Sequence, residues 1–552
     1  MYINTILPTG KELKINKGET VANILIKAGY ELKGSDIVGA FVNNNAVSLS
    51  YRVETNSEIV PITLNDRTGT DMYRRSLSFL LTIASKELFP NRRLVIGHSL
   101  GRGYFYYFDG INSIPKGDLK TLEKRMREIV KEDVPIERDV MAYLEAVKYF
   151  KENNQPDTAL LLENRNDPKI PIYRCGDFID LAHSPLVPST GVLEVFEIMD
   201  YPPGFLLRYP PFRQPEKMSP FQENPILFSI YQEYKNWGKI LNVSSVGSLN
   251  KLINSGEIHQ FIQVAEALHN KKIAEIADKI YERKDTVKIV LIAGPSSSGK
   301  TTFSKKLAIQ LKVLGRNPVT ISLDDYFLPR ELTPRDKEGN YNFEALEALD
   351  IELLNEHLIK ILKGEEVEIP DFDFHTGRRK PRGKPFKLPE RGILIMEGIH
   401  GLNDKLTPLV ERERKYKIYV SALTQLNIDD HTRISTTDNR LIRRLVRDYK
   451  FRGHSALTTL SMWHSVRKGE HNYIFPFQNS ADSAFNSALD YELAVLKVYA
   501  EPLLKTVKPD RREYNEAQRL LSFLDNFSPL PGKWVPSQSI LREFIGDSAF
   551  KY

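Results

Sequence analysis

Val287-Lys288-Ile289-Val290-Leu291-Ile292-Ala293-Gly294-Pro295-Ser296-Ser297-Ser298-Gly299-Lys300-Thr301 runs from a continuous apolar strand through a glycine-bounded turn into a helix. The helix shows in Phe303, Leu307, Leu311 and Leu314, apolar at helical spacing, with Gly315 as a natural C-cap. The turn is Gly-x4-Gly-Lys-Thr between strand and helix, the context a phosphate-binding loop (P-loop) requires. Its glycines let backbone N–H groups converge on phosphate oxygens where a Cβ would intrude. The helix start adds the positive end of its dipole. Gly294, Pro295, Ser296, Ser297, Ser298, Gly299, Lys300, Thr301 and Thr302 are therefore the expected donor-phosphate residues, for ATP or GTP. Lys300 would reach the β- and γ-phosphates, and the Thr301 hydroxyl would ligate Mg²⁺.

Working outward, Val319-Thr320-Ile321-Ser322-Leu323 is a second strand ending in Asp324-Asp325. Ligands of open parallel sheets bind beyond the carboxyl ends of strands, so Asp324 is placed to accept a hydroxyl proton and to share in the Mg²⁺ shell. The plainer alternative is a turn or N-cap aspartate. Gly392 to Gly398 is a third apolar run closed by one acid, Glu397, a Walker-B-like metal position. Tyr416 to Val420 is a fourth. Downstream, Arg440, Arg443, Arg444 and Arg447 share a broad helical face, followed by Arg452-Gly453. Such a face suits a lid over phosphates, the alternatives being a solvated basic surface or an RNA-binding strip. These segments predict an α/β unit with a parallel sheet over residues 285–490 and a helical extension over 491–552.

The rest of the 552 residues reads as further α+β material. Residues 1–64 alternate strand-like stretches with one helix, Thr20 to Ala28, and turn at Asn43-Asn44-Asn45. Residues 68–204 begin with a helix, Met72 to Leu88, and include a stretch, Tyr173 to Pro188, that reads as a loop. Residues 205–284 read as a proline-rich connector, starting at Pro202-Pro203, and helices. With 77 Lys and Arg against 71 Asp and Glu, the net charge of +6 makes no case for a dedicated nucleic-acid or membrane binder. A single cysteine, Cys175, excludes an intrachain disulfide framework. No apolar window approaches a membrane span and Met1-Tyr2-Ile3-Asn4 lacks a signal-peptide layout, so a soluble, cytoplasmic protein is expected.

In this order the motifs resemble those of the uridine/cytidine kinase and phosphoribulokinase group. The matching stretches are the P-loop, Ser322 to Phe327, Asn342-Phe343-Glu344, Pro370-Asp371-Phe372-Asp373-Phe374, Met396 to Ile399, and Arg440 to Asp448 with Arg452-Gly453. The resemblance implies a general base at Asp324 and a second metal carboxylate at Glu397. It also implies catalytic roles for Lys300, Arg443 and Arg444, and donor contacts from Arg447 and Arg452. Acceptor contacts would come from Asp324, Tyr326, Phe327, Phe343, Glu344, Phe372, Asp373, Phe374, His375 and Arg440. Three positions depart from the group: Glu344 stands where Asp is usual, Gly377 where a base-reading His is expected (His375 lies two positions earlier), and Thr458 where Gln is expected.

The N-terminal half resembles the front of threonyl-tRNA synthetase. Residues 1–64 look like a TGS domain, and residues 68–204 like the editing domain, in Arg93 to Gly97, Gly103 to Asp109, Gly176 to Leu181 and Val187 to Gly191. The editing centre's His, His, Cys and His fall on Arg75, Phe79, Ala182 and Leu186, which cannot supply those imidazole and thiolate groups. A shape retained without its chemistry is expected, with His183 at the solvated surface. The whole layout resembles bacterial fusion proteins described as nucleoside or uridine kinases. It implies Mg²⁺- and ATP- or GTP-dependent phosphorylation of a nucleoside 5′-hydroxyl. Another hydroxyl acceptor, or an RNA- or ribosome-associated ATPase, are the competing readings. Expected partners are the nucleoside, RNA at the N-terminal half and a second copy of the chain, with no membrane.

Overall fold

The computed structural model describes residues 2–551 apart from 336–338, 340, 374 and 375. The first unit is a five-stranded sheet in the order Glu12–Asn16, Tyr2–Ile6, Ser57–Thr63, Ile37–Val42, Asn45–Ser48. Its helix, Val21–Ala28, starts where the Thr20 hydroxyl accepts the Asn23 N–H at 3.3 Å and stops at Gly29, whose φ is +98°. Asn43 and Asn44 both adopt positive φ, which joins two antiparallel strands by a tight turn.

In the second unit the helix Arg67–Leu88 packs on a four-stranded antiparallel sheet ordered Glu197–Tyr201, Gly204–Arg208, Gly103–Phe108, Leu94–Leu100. The strand Gly204–Arg208 crosses the boundary expected at residue 204, because Phe205, Leu206 and Leu207 are fully buried and pair with Tyr104 to Tyr106. Pro202-Pro203 is thus the turn of a hairpin and not the start of a connector. The loop expected from Tyr173 is also corrected. Lys169–Cys175 and Phe178–Leu181 form a hairpin closed by the two-residue turn Gly176-Asp177, with Gly176 at φ +57° and Ile170, Ile172, Cys175 and Phe178 buried.

The third unit is a five-stranded, wholly parallel sheet. Its strands are β1 (Ile289–Ala293), β2 (Asn317–Ser322), β3 (Gly392–Glu397), β4 (Lys415–Ser421) and β5 (Ser483–Asn486), ordered β2-β3-β1-β4-β5. Central strands covered on both faces must be apolar throughout, and every residue of β1 is buried. Ile289 and Leu291 face one core with Leu354 and Leu358, while Val290 and Ile292 face another with Phe303 and Leu307. The C-terminal extension belongs to this second core. Ile540, Leu541, Phe544 and Ile545 are at most 1% exposed, and at about 1.5–3 kcal/mol for each buried side chain the segment is an integral wall, not a loose tail. Among the described residues no helix is long and apolar enough to cross a membrane.

The second and third units meet at the loop after β4. Asp430 accepts from Arg93 at 2.7 Å and from the Thr158 N–H and hydroxyl at 3.0 Å. His183 bonds Asp429 at 2.5 Å and His431 bonds Asp180 at 2.8 Å. The surface position expected for His183 is corrected: its ring is mostly covered and has a carboxylate partner from another unit. Burial opposes charge on His431, but Asp180, Asp430 and Asp429 outweigh it and hold its pKa above the usual imidazole value. A raised folded pKa gives stability that is fully present below the unfolded value of about 6.5 and lost as pH rises through the folded value. His431→Asn should therefore lower stability by about 1–2 kcal/mol at pH 6. The gap from wild type should narrow as pH approaches 9, measured by thermal melting of both proteins across that range.

Candidate active site

In-register pairing brings three strand ends to one level: Glu397 lies opposite both Ile292 and Ser322. The P-loop follows β1 directly. A Cβ on Gly294 would lie 2.1 Å from the Val420 carbonyl oxygen, so only glycine lets the chain turn there. Ser297 and Gly299 supply the positive φ angles, 59° and 80°, that curl the amides inward. The helix α1 (Lys300–Val313) starts at the end of this loop. The Lys300 ammonium folds over it, donating to the carbonyls of Gly294 at 2.8 Å and Pro295 at 3.1 Å. Burial lowers its pKa, while Glu397, Glu543 and Asp324 act to keep it charged.

Thr301 donates its hydroxyl to Glu397, 2.9 and 3.1 Å from the two carboxylate oxygens. Burial lifts the Glu397 pKa to about 7 against the pull of Lys300, with Glu543 and Asp324 adding to the rise. Asp324 follows β2 in a short 3₁₀ turn capped by Ser322. Its side chain is exposed yet flanked by protein, and desolvation raises its pKa while Lys300 opposes the rise. One hydroxyl and two carboxylates are hard oxygen donors suited to Mg²⁺, which keeps several waters and binds through one or two carboxylates plus substrate phosphates. Among the described residues no group of three or more His, Cys, Asp or Glu side chains forms a metal cage, and a P-loop Mg²⁺ site needs none.

The arginines lie on helix α2 (Thr436–Arg452) and converge on Ser296. Its N–H goes to Glu470 at 2.9 Å, its carbonyl accepts from Arg440 at 2.9 Å and its hydroxyl from Arg444 at 2.8 Å. Arg440 also pairs with Glu470 inside the protein. The expected acceptor contact of Arg440 is thus corrected: with 2% exposure it braces the loop. Arg443 is corrected likewise. It is fully buried and held by Glu492 at 2.5 Å, the Ser487 carbonyl at 2.8 Å and the Ser297 carbonyl at 3.3 Å, so it supports the loop from behind. Arg444, Arg447 and Arg452 share one buried carboxylate, Asp448, at 3.1, 3.0 and 3.4 Å. Of the three, Arg444 is the one that reaches the loop, through the Ser296 hydroxyl.

Among the residues expected to meet an acceptor, Glu344 packs against Gly469, and burial with nearby Glu470 lifts its pKa to about 7. Phe327 and Phe372 pack with their rings tilted by 53° and centroids 5.7 Å apart, and Phe343 is 45% exposed. Asp373 sits in a two-residue strand pair with Arg378, its carbonyl accepting the Gly377 N–H at 2.8 Å. The expected substrate contact of Tyr326 is corrected: it is 1% exposed, its hydroxyl 3.1 Å from His357 Nδ1 in the core. Phe374 and His375 lie outside the described residues. In the second unit Phe79, Ala182 and Leu186 share one apolar core, and Phe79 packs edge-on to Phe178 at 5.2 Å. Burial pushes the Cys175 thiol up to about 11, away from thiolate chemistry.

Two functional neighbours escape sequence reasoning. Glu470 lies on the helix Ala456–Tyr473, where it is the single acid and is flanked by Lys468, Gly469 and His471, so that nothing local sets it apart from a solvated face. Glu543 accepts the Thr302 N–H at 3.0 Å and its hydroxyl at 2.7 Å from 241 residues away, and nothing local marks it.

Residues 289–494 match the Phosphoribulokinase / Uridine kinase family. This C-terminal part is a uridine kinase/phosphoribulokinase-like P-loop domain. The N-terminal half carries threonyl-tRNA synthetase-like homology over about 200 residues. It is 37% identical over 198 residues to a threonine–tRNA ligase of Janthinobacterium sp. (strain Marseille), covering 36% of this chain and 31% of that protein. It is 33% identical over 234 residues to the threonine–tRNA ligase of Thermotoga petrophila, covering 42% and 34%. The chain thus spans about a third of the length of the curated relatives it matches. Among solved structures, a putative fructose transport system kinase from Silicibacter sp. aligns at 17% identity and TM-score 0.25, over 39% of this chain and 98% of that one. A possible uridine kinase from Bacillus stearothermophilus aligns at 18% and 0.24, over 38% and 100%.

Proposed function

We propose that the P-loop domain transfers the terminal phosphoryl group of ATP or GTP to the 5′-hydroxyl of a nucleoside of the uridine or cytidine type. One observation carries this: the Thr301 hydroxyl meets Glu397 beside Lys300 and Asp324, at the ends of three adjacent parallel strands. Asp324 takes the proton of the acceptor hydroxyl as its oxygen bonds to phosphorus and the bond to the departing nucleoside diphosphate breaks. Lys300 and the Arg444, Arg447 and Arg452 group stabilise charge on the transferred oxygens. Mg²⁺, when bound, neutralises charge on the donor phosphates, and Thr301, Glu397 and Asp324 would hold it. The test is nucleoside diphosphate release by the full chain with Mg·ATP or Mg·GTP across a panel of nucleosides and sugars. Release dependent on uridine or cytidine, with a 5′-monophosphate product, is expected; release with no acceptor in the panel overturns the reading.

A second reading has an observation of its own. The bonds of His183, Asp180 and Arg93 to Asp429, His431 and Asp430 tie the synthetase-like half to the loop that precedes α2. If residues 1–64 act as a TGS domain and the front half holds tRNA, that loop would carry the signal to the arginines in the cytoplasm. Filter binding of tRNA at two salt concentrations tests it: phosphate contacts must weaken steeply with salt, and binding insensitive to salt, or none, overturns it.

A further inference from the structure

The loop has an anion of its own. The Glu543 carboxylate accepts both the N–H and the hydroxyl of Thr302, at 3.0 and 2.7 Å. Thr302 lies in the first turn of α1, where backbone N–H groups have no partner within the helix and are the ones an anion takes. The segment bearing Glu543 is fixed. Arg542 donates to the carbonyls of Val535 and Gly532, at 2.5 and 3.1 Å, and Lys450 to that of Ile545 at 2.6 Å. Ile540 lies so close to the loop that a Cβ on Gly299 would be 2.6 Å from its side chain.

Consider a donor laid along this loop. With its terminal phosphate at Lys300 and a metal at Thr301 and Glu397, the phosphate joined to the nucleoside falls at the next amide along the chain, Thr302. Glu543 already holds that amide. A ligand of two phosphates, needing only the amides around Lys300, does not compete with it.

We propose that Glu543 is a donor-selecting residue, which competes with the nucleoside-bearing phosphate for the Thr302 amide and so weakens nucleotides relative to short inorganic phosphate chains. This rests on the phosphotransferase reading above and deepens it. Nucleotide donors enter when the carboxylate turns away, its helix staying in the core.

Isothermal titration of the full chain in Mg²⁺ with ADP and with pyrophosphate tests this in wild type, Glu543→Ala and Glu543→Gln. Glu543→Ala should bind ADP at least tenfold more tightly and pyrophosphate less than threefold more tightly. Glu543→Gln keeps size and an amide acceptor without the charge, should fall between, and stands in if the alanine variant does not fold. An ADP affinity within twofold of wild type, or weaker, overturns the proposal while pyrophosphate binding leaves the loop reading intact. Equal gains for both ligands overturn it by showing general charge repulsion instead of competition at one amide. Binding of neither ligand to any variant overturns the P-loop reading itself.

Discussion

Asp324→Asn should lower kcat for the proposed nucleoside phosphorylation by about 10²–10⁴-fold, the range for loss of a positioned general base. The amide keeps the size and the position of the carboxylate but cannot take a proton. Lys300, Thr301 and Glu397, the residues proposed for the donor side, do not depend on Asp324 for a hydrogen bond. Mg·ADP affinity should accordingly stay within about threefold of wild type, since one of two metal carboxylates persists at Glu397. Single-turnover phosphorylation beside ADP titration separates the two effects. Turnover that survives the substitution removes Asp324 from the chemistry; affinity that collapses together with turnover makes it a metal ligand first.

The second large effect is on stability. Arg443→Met should cost about 3–5 kcal/mol, the penalty for removing one partner of a buried ion pair. Glu492, 2% exposed at its side chain, would keep its charge in the core without the guanidinium that lies 2.5 Å away. The Ser487 and Ser297 carbonyls would lose donors at the same time. Arg444→Ala, one residue along, should behave oppositely, lowering kcat/KM by about 10²–10³-fold with a much smaller loss of stability. Its guanidinium reaches the Ser296 hydroxyl at the loop and shares Asp448 with two other arginines. Chemical denaturation and kinetics on the pair of variants would show the crossing; equal stability losses would refute the division of labour along α2.

Spacing alone places Arg440, Arg443, Arg444 and Arg447 on one broad face and assigns them all to a lid. Their division into loop braces and a group gathered on Asp448 is invisible there, because it depends on which carboxylate comes within reach. Glu492 and Glu470 take Arg443 and Arg440, while Asp448 gathers the others. Tyr326 illustrates the same limit. Its place after Asp324-Asp325 fits an acceptor contact, yet the backbone turn sends the ring inward to His357. His183 looks solitary in the sequence and finds Asp429 246 residues away.

What the chain's order of residues determined by itself was local. The apolar run into Gly294, the glycine turn, the amphipathic start of α1, the acids closing β2 and β3, and the Asn43-Asn44 turn were all legible, because strand burial, φ preference and helix period act within a few residues. The parallel sheet then set Thr301, Glu397 and Asp324 together through register. Only the tertiary structure decided that Glu470 would cap Ser296, that Glu543 would hold Thr302, and that the last helical turns would join the core behind the phosphate loop. Those pairings join segments 174 to 241 residues apart, and such contacts form because apolar neighbours such as Ile540 and Phe544 must be buried somewhere, carrying polar side chains of no local distinction to the loop.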